Sequence, residues 1–418
     1  MILEELLRIL EPEVQSFIDL HSADDPVAFA MKFYGNEGLP VRAIAEQIAC
    51  RRKAAKKLPH ISRNNLLYTP LALEQASGER TAAYKSSVMR GKRVIDLSGG
   101  LGIDTMFLAR TFREVVYCER DSLLCNLFEH NLKQGGISNV QIINSDSIGV
   151  LASYPDDYFD WIYVDPARRE QGKRSIGLEA ASPDVVAFHD ILLCKSERVC
   201  IKASPALELS GLNKLLPALY SVIVVSFDRE CKEILLLLDR NCLQSNVSLK
   251  AVCLSSATDA VTEVVGNGDD EKNIASFVKA YFYEPDPAII KAKLTARLAA
   301  INGLEFVNKT VDYLTSEREL NLFPGRMFRK IDCTLYKPKT FRTFLERHKI
   351  EGASIQRRDF PLSPEELRKK YRLQESDQVF LFFTRDFMAR PVVVFCHRFI
   401  PTVAEVLFEQ DRNADPGY

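Results

Sequence analysis

The chain has 418 residues, 46% apolar and 27% charged, which is the balance of a soluble globular protein of two or three domains and excludes a disordered or fibrous chain. The formal net charge of -1 excludes a molecule that draws nucleic acid by its whole field, so any such contact must come from local basic patches.

Residues 1 to about 58 carry helical periodicity, with Ile2, Leu3, Leu6, Leu7 and Leu10 on one face. The acidic start lacks the basic segment and small-residue cleavage site of a signal peptide. Apolar runs such as Ile234 to Leu238 fall far short of the ~20 residues that span a bilayer. The expectation is a cytoplasmic protein without a membrane segment. A second helix is expected from Val41 to Lys57, ending in Arg51, Arg52, Lys53, Lys56 and Lys57. These cations read either as a solvated helix end favoured by the dipole or as a phosphate-contacting surface.

From Arg93 to about Asp239 strands and helices alternate. Strands are expected at Arg93 to Leu97, Glu114 to Cys118, Val140 to Asn144, Trp161 to Asp165 and Val199 to Ala203. Helices are expected at Asp104 to Arg110 and Ser122 to Gln134. Ser221 to Phe227 and Glu233 to Leu238, parted by a short charged turn, read as an antiparallel hairpin. This pattern predicts an α/β doubly wound sheet with one reversed strand near its edge. Leu249 to Leu254 and Ala260 to Val265 follow as short strands, then a polar turn at Gly266 to Lys272 read as a boundary. One helical run is expected from Pro287 to Asn302. From about Thr334 to Arg398 short strands and one charged helix form a small α+β domain, with a hairpin around Arg385 to Arg390. Ten cysteines without a CxxC pair read as reduced, mostly buried thiols. Six scattered histidines give no metal site.

Four motifs carry the chemistry. In Asp96-Leu-Ser98-Gly99-Gly100-Leu-Gly102-Ile-Asp104 a strand ends in an acid, turns through three glycines and opens a helix, which brings backbone close to a ligand. Glu119, 17 residues after Gly102, ends the second strand, where a carboxylate accepts bonds from ribose hydroxyls or is simply a solvated acid. Arg120 follows it. Asp146 and Ser147 follow the third strand, placed for an adenine amino group or for a helix N-cap. Asp165-Pro166-Ala167-Arg168-Arg169 closes the fourth strand, where reacting atoms meet at a topological switch. Either arginine can stack on a base, clamp a phosphate or serve as a loop cation.

With these motifs in register, about Thr81 to Asp239 resembles the class I S-adenosylmethionine-dependent methyltransferases, with a Rossmann-like sheet. Ser98 stands where the family has its first glycine. Ala167 departs from the Asp-Pro-Pro-aromatic pattern of nucleic-acid amino methyltransferases. Gln75 to Lys85, Asp165 to Arg169 and Tyr283 to Lys291 extend the resemblance to a Bacteroidetes-type family with a ferredoxin-like segment and a THUMP-like C-terminal domain. The resemblance implies a helical region at 1–80, the methyltransferase domain at 81–270, a ferredoxin-like or helical segment at 271–325 and the THUMP-like domain at 326–418. It implies S-adenosylmethionine as cofactor. Asp96, Ser98, Gly99, Gly100 and Gly102 would line its methionine end, Glu119 would hold the ribose and Asp146 the adenine, with Asp104, Arg120 and Ser147 as further cofactor-binding residues. Glu74, Gln75 and Thr81 would fold over it. Asp165, Pro166 and Arg168 would face the methyl acceptor.

THUMP domains imply an RNA partner, tRNA or rRNA, and most simply a base nitrogen as acceptor. In the C-terminal part Arg326, Arg329, Lys330, Lys337, Lys339, Arg342, Arg347 and Lys349 interleave with Phe328, Tyr336, Phe341 and Phe344. Cations with aromatics suit RNA through phosphate contact and stacking, unless the aromatics are core. Two alternatives stay open: a methyltransferase for protein or a small molecule, and a non-catalytic S-adenosylmethionine- or RNA-binding protein. A 5-methylpyrimidine mechanism would need a cysteine nucleophile, and Cys200 within the fifth strand reads as core.

Overall fold

The computed structural model describes residues 1–168, 178, 181–242 and 246–399, with the backbone alone at Arg168. By compactness the chain divides into one unit of residues 1–222 with 232–247, and a second of 223–231 with the chain from 248 onward. The four-part division that the resemblance implies is finer than this and stays a proposal.

The first unit opens with helices Leu3–Ile9, Pro12–Leu20, Pro26–Lys32 and Val41–Lys57. Proline begins the second and third, where its missing N–H costs nothing, and Asp25 caps the third through the N–H groups of Val27 and Ala28. Leu6, Ile9, Val14, Ile18, Phe29, Ile44 and Ile48 merge into one core. Each such side chain contributes about 1.5–3 kcal/mol by leaving water.

The cations at the end of Val41–Lys57 are partly engaged inside this unit. Arg51 pairs with Asp19 at 2.5 Å, Arg52 donates to the carbonyls of Ala23 and Asp24, and Lys57 donates to those of Leu73 and Glu74. Three of the five are therefore tertiary ties, which neither sequence reading foresaw.

The sheet strands of this unit are β1 (Arg93–Asp96), β2 (Glu114–Glu119), β3 (Val140–Asn144), β4 (Phe159–Val164), β7 (Ser196–Ala203), the start of β8 (Leu219–Phe227) and most of β9 (Glu230–Asp239), residues 223–231 of this hairpin counting with the second unit. A two-residue pair, β5 (Ala167–Arg168) and β6 (Ala181–Ser182), lies outside the sheet. The order is β8-β9-β7-β4-β1-β2-β3. Strands β1 to β4 and β7 run parallel, and β9 runs antiparallel to β7. Val94, Ile95, Ile162, Val164, Val199 and Ile201 are all buried, as parallel strands covered on both faces require. The expected doubly wound sheet with a reversed strand is present. The β8–β9 turn is tighter than the charged run suggests, because Asp228 and Arg229 both take left-handed φ, 48° and 65°, the demand of a two-residue hairpin. Glu230 to Lys232 thereby join the strand.

The second unit holds the antiparallel pair β10 (Ser248–Leu254) and β11 (Thr262–Gly266). Its larger sheet comprises β12 (Tyr281–Pro285), β13 (Glu305–Phe306), β14 (Leu314–Ser316), β15 (Gly325–Leu335), β16 (Ser354–Arg357), β17 (Val379–Arg385) and β18 (Pro391–Phe399). The order is β13-β14-β12-β15-β18-β17-β16, with only β16 and β17 parallel. Alternation along β17 feeds two cores: Leu381 and Phe383 join Phe341 and Phe344, while Phe380 and Phe382 join Phe328 and Phe282.

Two expectations change here. Pro287 to Asn302 is two helices, Pro287–Lys291 and Thr295–Asn302, because Lys293 takes φ 59° and the Leu294 N–H returns to the Ile289 carbonyl, closing the first helix. The C-terminal part carries two helices, Pro338–Arg347 and Pro364–Tyr371, the second set by a Ser363–Glu366 capping box. No helix among the described residues is long and apolar enough to cross a membrane.

Candidate active site

The chain turns back past β1 to place β4 beside it, so the switch of strand order falls between β1 and β4. At the C-terminal edge of these strands lies a cleft of about 780 Å³. Because β9 runs antiparallel, its beginning reaches the same edge: Ile234 pairs with Ala203, the last residue of β7.

The glycine turn forms one wall. A side chain at Gly99 would meet the Tyr117 ring at 2.5 Å, and one at Gly102, which has φ 78°, would overlap the Phe128 ring. Those two rings stack at 4.2 Å as the floor of the turn. The Gly100 N–H donates to Glu119 Oε2 at 2.8 Å, and the Asp121 N–H donates to Oε1 at 2.9 Å. Glu119 is thus held at the lip, with lone pairs left for ligand hydroxyls.

Ser98 has a structural role that glycine could not fill. Its hydroxyl donates to Asp96 Oδ1 at 3.0 Å and accepts from the Asp165 N–H at 2.6 Å, joining the ends of β1 and β4. Asp96 is buried, and Thr105 Oγ1 donates to its other oxygen at 2.6 Å. Burial raises the Asp96 carboxyl to about 7, against the hydrogen bonds that lower it.

Behind this turn sits a cluster of charges. Asp104 Oδ2 accepts from Ser77 Oγ and Tyr163 OH, both at 2.8 Å. Lys85 Nζ reaches Ser77 Oγ at 2.9 Å and both Glu233 oxygens at 2.7 Å, and lies 3.2 Å from Asp104 Oδ1. Burial pushes the Asp104 carboxyl up, but Lys85 and Lys202 outweigh it and hold it ionised. Lys202 Nζ donates to Asp165 Oδ2 at 2.5 Å. Burial opposes the Lys202 charge, yet Asp165, Asp104 and Glu233 outweigh it and keep the ammonium protonated.

Of the residues singled out in the sequence, Gln75, Asp96, Ser98, Gly99, Gly100, Gly102, Asp104, Glu119, Asp165 and Pro166 line the cleft. Four others do not. Thr81 is buried and bonds the Gly78 carbonyl. Asp146 caps its helix through the Gly149 N–H, Ser147 is buried in that helix, and Arg120 contacts Asp146 and Ser182. The side chain of Arg168 and the whole of Arg169 lie outside the described residues. Sequence reasoning missed Ser77, Tyr163, Lys202 and Lys232, which line the cleft, and Lys85 and Glu233 behind it. The available signal was a lone charge at the end of an apolar strand, as in Cys200-Ile201-Lys202 and in Glu233 before Ile234.

This wall fits S-adenosylmethionine. Asp104 Oδ1 is buried and accepts no hydrogen bond, although the Lys85 ammonium lies 3.2 Å away, and it can take the ammonium of an amino-acid moiety. Asp96, expected in that place, has both oxygens engaged. Gly99 and Gly102 leave room for close backbone approach, and Glu119 stands where a ribose would lie. The ten cysteines are free, five buried and five half-buried. Burial drives the Cys200 thiol far up, so it is core. No cysteine lines the cleft among the described residues.

Comparison with known proteins agrees with this geometry. A family described as THUMP domain-like matches residues 325–398, the span of β15 to β18. A crystal structure described as a candidate methyltransferase from Porphyromonas gingivalis W83 superposes with TM-score 0.83 at 26% identity, covering 96% of this chain and 100% of the other. An uncharacterized S-adenosylmethionine-dependent methyltransferase of Mycobacterium tuberculosis H37Rv is 24% identical over 349 residues, 82% of this chain and 92% of its own. A 23S rRNA (uracil(1939)-C(5))-methyltransferase of Aeromonas hydrophila is 29% identical over 130 residues, 30% of each chain.

Proposed function

We propose that this chain is an S-adenosylmethionine-dependent methyltransferase that acts on RNA and works in the cytoplasm, where its free thiols stay reduced. One observation carries the reading: the glycine turn, the Asp104 carboxylate and the Asp165–Pro166 end of β4 line a single cleft at the switch point. The cofactor would supply an activated methyl group on a sulfonium. Asp104 would hold its ammonium and Glu119 its ribose. Asp165 would orient the acceptor and take its proton. RNA as the substrate class draws on the THUMP-like match and on relatives named as rRNA methyltransferases. The C(5) acceptor in the name of the Aeromonas relative does not transfer, since that chemistry needs a cysteine at the acceptor. The Bacteroidetes-type membership, a ferredoxin-like nature for 271–325 and adenine contacts from Asp146 are finer parts of the same proposal.

The test is methyl transfer from radiolabelled S-adenosylmethionine to RNA from cells lacking the protein. Asp165→Ala is expected to keep cofactor binding by calorimetry and to lose turnover at least about tenfold. Unchanged turnover removes Asp165 from the mechanism. A second reading, a protein or small-molecule substrate, rests on the burial of Phe328, Phe341 and Phe344, which leaves them unable to stack on bases. It predicts no inhibition by bulk RNA.

A further inference from the structure

The charges around Asp165 exceed what orienting an amine requires. Lys202 and Lys85 meet Asp165, Asp104 and Glu233, three carboxylates to two ammonium groups. The single negative charge left over matches the net positive charge of S-adenosylmethionine. Lys202 and Asp165 both line the cleft, so an ammonium and a carboxylate present themselves side by side to whatever enters. Asp165 Oδ2 is taken by Lys202; its Oδ1 has no hydrogen bond to a described residue and the side chain is 37% exposed.

An ammonium in this position has little use for an amine acceptor, which needs no anion stabilised. It suits a weakly acidic hydroxyl, whose oxygen gathers negative charge as the proton leaves. The walls point the same way. Tyr163 is the one aromatic residue lining the cleft among the described residues, and its side chain is buried, so the described wall offers no open ring face for a flipped base. The lip instead carries cations. Lys232 lines the cleft together with Lys202. Cations beside a hydroxyl-activating pair fit a sugar–phosphate backbone, where phosphates flank each ribose hydroxyl.

We propose that the methyl acceptor is a ribose 2′-hydroxyl of RNA, with Asp165 and Lys202 as catalytic residues and Lys85 with Glu233 as the positioning pair behind them. The proposal rests on the RNA-methyltransferase reading above. The O–H bond breaks and its proton passes to Asp165. An oxygen lone pair forms the new O–CH3 bond while the C–S bond breaks, its electron pair staying on sulfur. Lys202 donates to the oxygen throughout. The site carries no net charge before or after, since the proton on Asp165 replaces the sulfonium charge lost.

The experiment uses the full chain, tritiated S-adenosylmethionine and RNA from cells lacking the protein, followed by complete alkaline hydrolysis. A 2′-O-methyl group blocks cleavage at its own phosphodiester, so the expected label sits in alkali-stable dinucleotides. Label in mononucleotides means a base acceptor and overturns the inference while leaving RNA methyl transfer intact. No label in RNA, with cofactor still bound, overturns both. Lys202→Met is expected to lose at least about a hundredfold in turnover with cofactor affinity kept; a loss under tenfold in a folded variant removes Lys202 from catalysis. Glu233→Gln tests positioning: its loss should fall in kcat rather than KM, and equal KM and kcat effects would reduce the pair to a structural role.

Discussion

Asp96 is the residue at which burial and local bonding oppose each other most plainly. Its carboxyl is enclosed, and burial moves it from the ordinary 3.8 to about 7 despite three hydrogen bonds to its oxygens. Between those values the folded protein binds more protons than the unfolded chain. Stability from this residue therefore falls as pH rises through that window and is constant above it. Asp96→Asn keeps the geometry, since its oxygen still accepts from Ser98 and its amide can donate to Thr105. Urea denaturation at about pH 5 and about pH 8 should show the wild type losing more stability than the variant across the interval. Equal losses in both proteins would mean that Asp96 stays ionised throughout. Near the same turn, the sequence does not show which of Asp96 and Asp104 is the better candidate for the cofactor's ammonium. Both acids flank the glycines; only the fold shows that Ser98 and Thr105 engage both oxygens of the first, while one oxygen of the second accepts no hydrogen bond and meets only the Lys85 ammonium.

At the scale of elements, much of the first unit is legible because its signals are local. Ser122–Gln134, Val140–Asn144 and Val41–Lys57 agree with the periodicity to the residue. The break at Lys293 is not legible, since one left-handed residue between two alanine-rich turns leaves no trace in the period. Nor is the segment Leu66–Tyr68, which is buried without belonging to a helix or sheet. Its backbone is satisfied by two side-chain amides. Gln47 donates to the Tyr68 carbonyl at 2.7 Å and accepts from the Tyr68 N–H at 3.1 Å. Asn131 does the same for Leu67, at 2.9 and 2.8 Å. This strap leads directly into the helix Pro70–Gln75 at the cleft. Gln47→Leu or Asn131→Leu strands two buried backbone groups, so each should cost about 2–5 kcal/mol. Hydrogen exchange at Leu67 and Tyr68 should accelerate in the matching variant alone. Unaltered exchange and stability would show that the segment has another support.

For the whole molecule, the limit of the sequence is distance along the chain. Lys202 and Asp165 are 37 residues apart and Lys85 and Glu233 are 148 apart, so no local pattern encodes either pair. The fold class needs only the order of strands and helices, and that order is written locally. The same contrast decides how the THUMP-like region can meet RNA. Its aromatics looked able to stack on bases, but Phe328, Phe341 and Phe344 fill the two cores of its sheet. What remains outside is charge: Lys337, Lys339, Arg342, Arg347 and Lys349 are all exposed along and beside the helix Pro338–Arg347. A surface of this kind grips phosphates and reads no sequence, so its contribution should be steep in salt. Lys337→Glu, Lys339→Glu and Arg342→Glu combined should weaken binding to bulk tRNA, and the slope of log affinity against log salt should fall by about one for each phosphate-bound cation replaced. Fluorescence anisotropy over a salt series measures both, and calorimetry should find cofactor affinity unchanged. A variant with wild-type affinity and slope would show that this face does not bind RNA, and the substrate class would then rest on the cleft alone.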